Sequence, residues 1–124
     1  MVAWPSMKRL PAALPLLLAT AALAAPAAAP DKPFAAQLAP GESHEECMTL
    51  AKGESRSYHW KASAPVDFNV HYHDGPEAIY PVKRQAMRGD GGSFKAKVAQ
   101  DYCWMWTARD KPAKVEGAIM GTVH

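Results

Sequence analysis

The sequence predicts an all-β domain, an antiparallel β-sandwich of about seven short strands stabilised by one disulfide. In several stretches apolar residues alternate with polar ones, which is the period of two expected of β-strands. Turn residues such as Gly, Pro and Asp separate these stretches. No long stretch repeats with the helical period of 3.6 residues. Short alternating strands separated by turns are typical of a sandwich.

The first 24 residues are typical of a secretory signal peptide. Lys8 and Arg9 form a positive region, and an apolar run follows from Leu10 to Ala24. The run ends in Ala22-Leu23-Ala24, a small-x-small pattern that predicts cleavage before Ala25. A transmembrane anchor is not expected, because two prolines interrupt a run that is shorter than the roughly 20 residues needed to span a bilayer. Translation could begin at Met1 or at Met7.

Removal of the signal peptide changes the charge of the protein. The chain has 14 Lys plus Arg and 12 Asp plus Glu, and losing Lys8 and Arg9 leaves 12 of each. A formally neutral domain lacks the usual electrostatic footprint of nucleic-acid binding. We therefore expect a periplasmic or secreted protein with no nucleic-acid partner. Residues 25–43 are rich in Ala and Pro and predict a flexible arm, and residues 44–124 predict the sandwich domain.

Within that domain the strands can be placed in order. Glycines and prolines mark the turns or breaks between them, at Lys52-Gly53, Pro65, Asp74-Gly75-Pro76, Gly89-Asp90-Gly91-Gly92 and Pro112. Inward-pointing side chains include Phe94, Ala96 and Val98 in the fifth strand. The seven predicted strands span residues 44–50, 54–62, 66–73, 78–82, 93–98, 100–107 and 114–123.

The stretch 100–107 is the predicted centre of the sheet. Tyr102, Trp104 and Trp106 share one face of this strand. The other face carries Cys103, Met105 and Thr107. Both faces are apolar, which predicts a central strand covered on each side.

The two cysteines, Cys47 and Cys103, predict a disulfide because an exported chain meets an oxidising compartment. Closing this loop is worth about 4 kcal/mol in the chain-entropy model. Free or metal-binding thiols are the alternative.

A resemblance to a known family rests on several short segments. These are Ala64-Pro65-Val66-Asp67-Phe68-Asn69-Val70, Ile79-Tyr80, Gly92-Ser93-Phe94 and Asp101-Tyr102-Cys103-Trp104. Their order resembles the GOLD domain of the emp24/p24 family, over roughly residues 44–123. The resemblance implies a β-sandwich in which Cys47 of an early strand is bridged to Cys103 of a late one. The sequence lacks the coiled coil, transmembrane helix and cytoplasmic tail of the p24 proteins, so it does not imply their cargo-sorting role. Signal and composition are typical of an exported bacterial protein.

The histidine pair His71 and His73 is the most specific chemical feature. Residues at i and i+2 of a strand lie on one face, so both imidazoles could reach one copper or zinc ion. His44, His59 or Met105 could complete such a site if the fold brings one of them near. The alternative is that these histidines are solvated residues of an outer face.

No segment predicts an enzyme. His44-Glu45-Glu46 has Met48 where the zinc-peptidase motif HExxH requires its second histidine, and its segment is not helical. The sequence contains no G-x-S-x-G nucleophile motif, and bridged cysteines supply no thiolate. We therefore expect neither catalytic residues nor a cofactor, apart from the copper or zinc ion considered above.

The expected role is a non-catalytic binding module of the cell envelope, with an envelope protein or a glycolipid as partner. Trp104 and Trp106 could form a binding platform if they are exposed, although residues of a central strand are more often core. Lys83, Arg84 and Arg88 could contact an anionic partner, or could simply form a solvated charged face.

Overall fold

The computed structural model describes residues 30–121, which form six β-strands and no helix. No helix within this part of the chain could therefore cross a membrane. The predicted signal peptide lies outside the described residues. The strands are β1 (Lys32–Leu38), β2 (Ser43–Leu50), β3 (Ser55–Asp74), β4 (Glu77–Lys95), β5 (Gln100–Ala108) and β6 (Ala113–Ile119).

All strand pairs are antiparallel, and β3 organises them. The strand order is β1-β6-β3-β5-β2, and β4 pairs with the other side of β3. The first part of β3 pairs with β6 through residues 58–62, and its second part pairs with β5 through residues 66–71. Because β3 changes neighbours midway, the sheet folds over into two layers. One layer contains β1 and β6, the other contains β2 and β5, and β3 and β4 run through both.

The space between the layers is filled by aromatic side chains. Trp104 and Trp106 of β5 have no exposed surface. The ring of Trp106 lies 4.2 Å from that of Phe34 and 6.4 Å from that of Trp60, both of which belong to the other layer. These contacts confirm the predicted antiparallel sandwich with its aromatic core.

The disulfide is also confirmed, with Cys47 and Cys103 directly opposite each other on β2 and β5. As predicted, β5 lies inside its layer, between β2 and β3. The prediction that both of its faces are covered is wrong. Cys103, Met105 and Thr107 are half-buried on the outside of the sandwich, because no third layer formed by residues 30–121 packs on them.

The predicted flexible arm, residues 25–43, is wrong for Lys32–Leu38. This segment is β1, paired with β6 from end to end. Phe34 and Leu38 point into the core and are 8% and 4% exposed. The domain therefore begins before residue 44. An Ala/Pro-rich composition concealed two core side chains that have the spacing of one strand face.

Two predicted interruptions are also wrong. Their loss merges four predicted strands into two, and together with the additional strand β1 this turns the seven predicted strands into six. Residues 63–65 lie within β3, although the pairing register of β3 with β4 shifts between Lys61 and Val66. Residues 89–92 lie within β4 rather than in a turn, and Gly92 faces the ring of Tyr58. Val98, expected inward, is 42% exposed on the connection between β4 and β5.

Candidate functional site

The outer face of the layer that contains β2 and β5 carries the predicted histidines. We call the following residues the outer face: Glu45 and Cys47 from β2, Cys103 and Met105 from β5, Asn69, His71 and His73 from β3, and Tyr80 and Lys83 from β4. Strand pairing places them in rows, since Glu45 lies opposite Met105, Met105 opposite Asn69 and Asn69 opposite Lys83. In the next row Cys47 lies opposite Cys103, and Cys103 lies opposite His71.

His71 has several side-chain neighbours on this face. Its side chain is buried, and its Nδ1 lies 2.7 Å from Oδ1 of Asn69, which is also buried. An amide oxygen only accepts hydrogen bonds, so Nδ1 carries the proton and Nε2 keeps a lone pair. Nε2 lies 3.6 Å from a carboxylate oxygen of Glu45. Burial lowers the pKa of His71, the Glu45 carboxylate opposes that shift, and His73 adds to it.

Three further side chains surround this imidazole. The ring of His73 meets that of His71 edge-on, with 5.3 Å between centroids. The ring of Tyr80 lies 5.6 Å from His71, and the Lys83 amine lies 5.2 Å from the Tyr80 ring in a cation–π contact. The structure thus brings the predicted pair His71 and His73 together.

Of the other predicted metal ligands, only one lies on the same face as His71 and His73. His44 lies on the opposite face of β2, where its Nε2 is 3.0 Å from Glu46 and its ring stacks on Phe34, so the prediction for His44 is wrong. Adjacent residues of a strand point to opposite faces, and Glu45 rather than His44 faces His71. His59 lies in the other half of β3, and Met105 shares the outer face.

Within residues 30–121, three metal-donor atoms lie within 4.8 Å of one another only for Glu45, Cys47 and Cys103. The two sulfurs of this group are joined in the disulfide. They are therefore not available as thiolates, which are the form of cysteine that binds metal ions.

Of the residues predicted to form a binding surface, the two tryptophans are buried and the three basic residues are exposed. Trp104 and Trp106 are fully buried, so they form no surface platform, and the alternative that they are core is confirmed. Lys83, Arg84 and Arg88 are exposed on β4. They form no ion pair with another described residue, whereas four other cations of the domain do: Lys32 with Glu46, Arg56 with Glu54, Lys61 with Glu116 and Arg109 with Asp67.

Sequence reasoning missed Glu45 and Tyr80 as neighbours of His71. Asn69 could have been found, because it precedes His71 by two residues and must share its face. Glu45 becomes visible only once the register of β2, β5 and β3 is known. No feature of the local sequence specifies that register.

Fold and site together define a small disulfide-bonded β-sandwich domain with a polar, histidine-bearing outer face. Neither a protein-family model nor a curated protein matches the chain. In fold it is similar to the pre-peptidase C-terminal domain of collagenase from Bacillus anthracis, with a TM-score of 0.57 and 13% identity. That comparison covers 73% of this chain and 89% of the other.

Two further structures are similar with lower TM-scores. A de novo designed double-stranded β-helix has a TM-score of 0.43 and 16% identity, covering 71% of this chain and 97% of its own. The periplasmic g-type lysozyme inhibitor PliG of Aeromonas hydrophila has a TM-score of 0.46 and 12% identity, covering 74% of this chain and 88% of its own.

Proposed function

We propose that this protein is a non-catalytic binding module of the cell envelope, exported to the periplasm or the outside, which recognises an acidic, extended protein segment along β4. The disulfide supports export, because such bonds persist in oxidising compartments. The resemblance to the GOLD domain stays a prediction.

The observation that carries this proposal is the open edge of β4. This strand of 19 residues pairs only with β3 among the described residues, so its other side has no partner strand there. Such an edge is where an extended peptide can add as a further strand. Gly89, Gly91 and Gly92 carry no side chains that would obstruct the approach of another backbone.

Charge indicates the kind of segment. Lys83, Arg84 and Arg88 line this strand without an acidic partner among residues 30–121, and Arg84 donates only to the backbone oxygen of Lys83. Unpaired cations beside an open edge favour an acidic partner, and they raise the rate of association as well as its specificity.

Defined peptides test the proposal. A labelled peptide of alternating glutamate and threonine should bind saturably, and the corresponding lysine–threonine peptide should not. The triple variant Lys83→Glu/Arg84→Glu/Arg88→Glu should weaken binding about tenfold or more, since each exposed charge pair is worth up to about 1 kcal/mol. A matched variant, Lys52→Glu/Lys111→Glu/Lys114→Glu, changes net charge equally at sites other than the basic side chains of residues 83–88 and should bind normally.

Equal loss in both triple variants would show that net charge alone governs binding and would contradict the proposal. Binding to phosphatidylglycerol vesicles with no binding to the acidic peptide would also overturn it, in favour of a lipid partner. Circular dichroism spectra and melting curves of both variants establish that each is folded.

A second candidate function is metal binding at His71, and one contact favours it. The lone pair of His71 Nε2 and a carboxylate oxygen of Glu45 face each other at 3.6 Å. A tetrahedral zinc ion about 2.1 Å from each atom would hold them roughly 3.4 Å apart. The Asn69 bond to Nδ1 has the orienting role that neighbours of metal-bound histidines usually have. His73 would be a third ligand only after a change of rotamer, because neither of its nitrogens lies within 4.8 Å of both of these atoms.

Calorimetric titration with Zn(II) and Cu(II) tests this candidate. The variants His71→Ala/His73→Ala and Glu45→Gln should each weaken binding about tenfold or more. His59→Ala, in the other half of β3, is the control and should bind as the wild type does. Unchanged binding by the double variant would exclude a site at this pair.

A further inference from the structure

One cavity lies apart from both the outer face and the basic triplet Lys83, Arg84 and Arg88. It opens between the end of β3, the start of β4 and the connection from β4 to β5, and its volume is about 340 Å³. That volume falls within the range of about 300–1,000 Å³ typical of small-molecule sites. Its apolar lining comprises Tyr72, Ile79, Pro81, Phe94, Val98 and Tyr102.

The floor of this cavity is a packed aromatic cluster. The ring of Tyr102 lies 5.3 Å from that of Tyr72 and 5.0 Å from that of Phe94, and both contacts are edge-on. The Tyr102 hydroxyl donates a 2.7 Å hydrogen bond to the carbonyl oxygen of Val98, which holds the β4–β5 connection in place as one wall. A fixed floor and wall form the site before any ligand arrives, which lowers the entropic cost of binding.

The rim of the cavity is cationic. Lys95 and Lys97 line it, and the lining contains no carboxylate. Within residues 30–121 neither lysine forms an ion pair or a side-chain hydrogen bond, and the Tyr72 hydroxyl makes no hydrogen bond either. Val98 adds an apolar side chain that is 42% exposed. An apolar floor bordered by two lysines without ion pairs is complementary to a ligand with an apolar body and one negative charge.

We propose that this cavity binds a single-chain anionic amphiphile, represented by a medium-chain fatty acid, with its tail on the aromatic floor and its carboxylate between Lys95 and Lys97. The site would give the protein a small-molecule ligand in addition to the protein partner proposed for β4. The two proposals are tested through different side chains, so either can fail alone.

Titration calorimetry with hexanoate, octanoate and decanoate at monomeric concentrations tests the tail. One saturable site per chain is expected, and affinity should rise roughly tenfold for every two added methylenes until the cavity is full. Decanol and decylamine test the head group and should bind more weakly than decanoate. Absence of saturable decanoate binding below about 1 mM, or equal binding of decanoate and decylamine, would overturn the proposal.

Two variants localise the ligand. Val98→Asp adds a negative charge at an exposed wall position and should weaken decanoate binding about tenfold while leaving the melting curve unchanged. Lys95→Gln/Lys97→Gln should weaken decanoate binding by roughly two- to tenfold but leave decanol binding unchanged. Lys111→Gln/Lys114→Gln is the matched control and should bind both ligands normally. Wild-type decanoate affinity in Val98→Asp would show that the ligand does not occupy this cavity.

Discussion

His71 is a histidine whose neutral form is favoured in the folded protein. Burial lowers the pKa of its imidazole, and His73 acts in the same direction while Glu45 opposes it. In the unfolded chain the pKa returns to about 6.5, so at acidic pH the unfolded state binds more protons. The contribution of His71 to stability is therefore intact above about pH 6.5 and is lost as the pH falls towards the lower pKa of the folded state.

The prediction is that acidification from about pH 7.5 to about pH 5 lowers the free energy of unfolding less in His71→Gln than in the wild type. Urea unfolding at a series of pH values measures this difference. His59→Gln removes an exposed histidine of the same strand and should retain the wild-type pH dependence. If His71→Gln loses as much stability on acidification as the wild type, burial of this imidazole is not what makes the domain acid-sensitive.

Gly117 is required by the close approach of β6 to β3. A Cβ atom at this position would lie 2.7 Å from the Cα and 2.8 Å from the Cβ of Trp60. Since Trp60 is core, neither strand can shift freely, and Gly117→Ala should lower the free energy of unfolding by about 2–3 kcal/mol. Gly91→Ala is the control, because its Cβ would meet Tyr58 at an ordinary 3.5 Å, and we expect a change below about 1 kcal/mol. Similar losses in denaturant titrations of both variants would contradict this account.

Single positions differ in how far sequence alone predicts them. Period-two alternation correctly placed His71 and His73 on one face, because that relation is local. The neighbour of His71 from β2 was predicted as His44 and is Glu45. A shift of one residue in pairing register exchanges the two faces of a strand, and the register between distant strands is set by the packing of the whole sheet.

At the scale of elements, β1 is the strand that composition concealed, and its contribution is measurable. Phe34 packs against Trp106 at 4.2 Å between ring centroids and is buried. Phe34→Ala should therefore lower the free energy of unfolding by about 3–4 kcal/mol. Gln37→Ala, on the exposed face of β1, should change it by less than about 0.5 kcal/mol. Guanidinium unfolding of both variants provides the measurement, and an unaffected Phe34→Ala would mean that residues 32–38 are the mobile arm that their composition predicts.

The long strands β3 and β4 show why local break signals misled. Pro65 has no N–H, but it falls between Ala62, the last residue of β3 paired with β6, and Val66, the first paired with β5. Its missing donor therefore removes no bond from either ladder, and the strand can continue. The run of glycines in β4 likewise predicts a turn locally. Pairing with the fixed β3 on one side keeps it extended instead.

For the whole molecule, the sequence predicted the all-β class, the two layers and the disulfide. Alternation and turn spacing extend over the whole chain, so they predict the fold class even where single strands are misplaced. The course of β3 through both layers was not predictable, since nothing local specifies where a strand exchanges one neighbour for another. The cavity beneath Lys95 and Lys97 was missed for the same reason. Its walls come from residues up to 30 positions apart, Tyr72 and Tyr102 among them.

The stability of the whole domain should depend strongly on its disulfide. The core is imperfect, because the indole N–H groups of Trp60, Trp104 and Trp106 are buried without a hydrogen-bond partner among the described residues. Each such group costs roughly 1–3 kcal/mol. The bond between Cys47 and Cys103 joins positions 56 residues apart and restricts the unfolded chain by about 4 kcal/mol. Folded domains usually have a free energy of unfolding of roughly 5–15 kcal/mol, so the contribution of the disulfide is a large part of it.

We therefore expect reduction to lower the melting temperature by about 15–30 °C, since each kcal/mol corresponds to about 4–8 °C in a domain this small. Circular dichroism melting curves with and without a thiol reductant measure the shift. The variant Cys47→Ala/Cys103→Ala should melt near the reduced wild type and should not respond to the reductant. A wild-type melting temperature that reduction leaves unchanged would mean that the aromatic core alone holds the two layers together, and that the cross-strand bond on the outer face has a role other than stability.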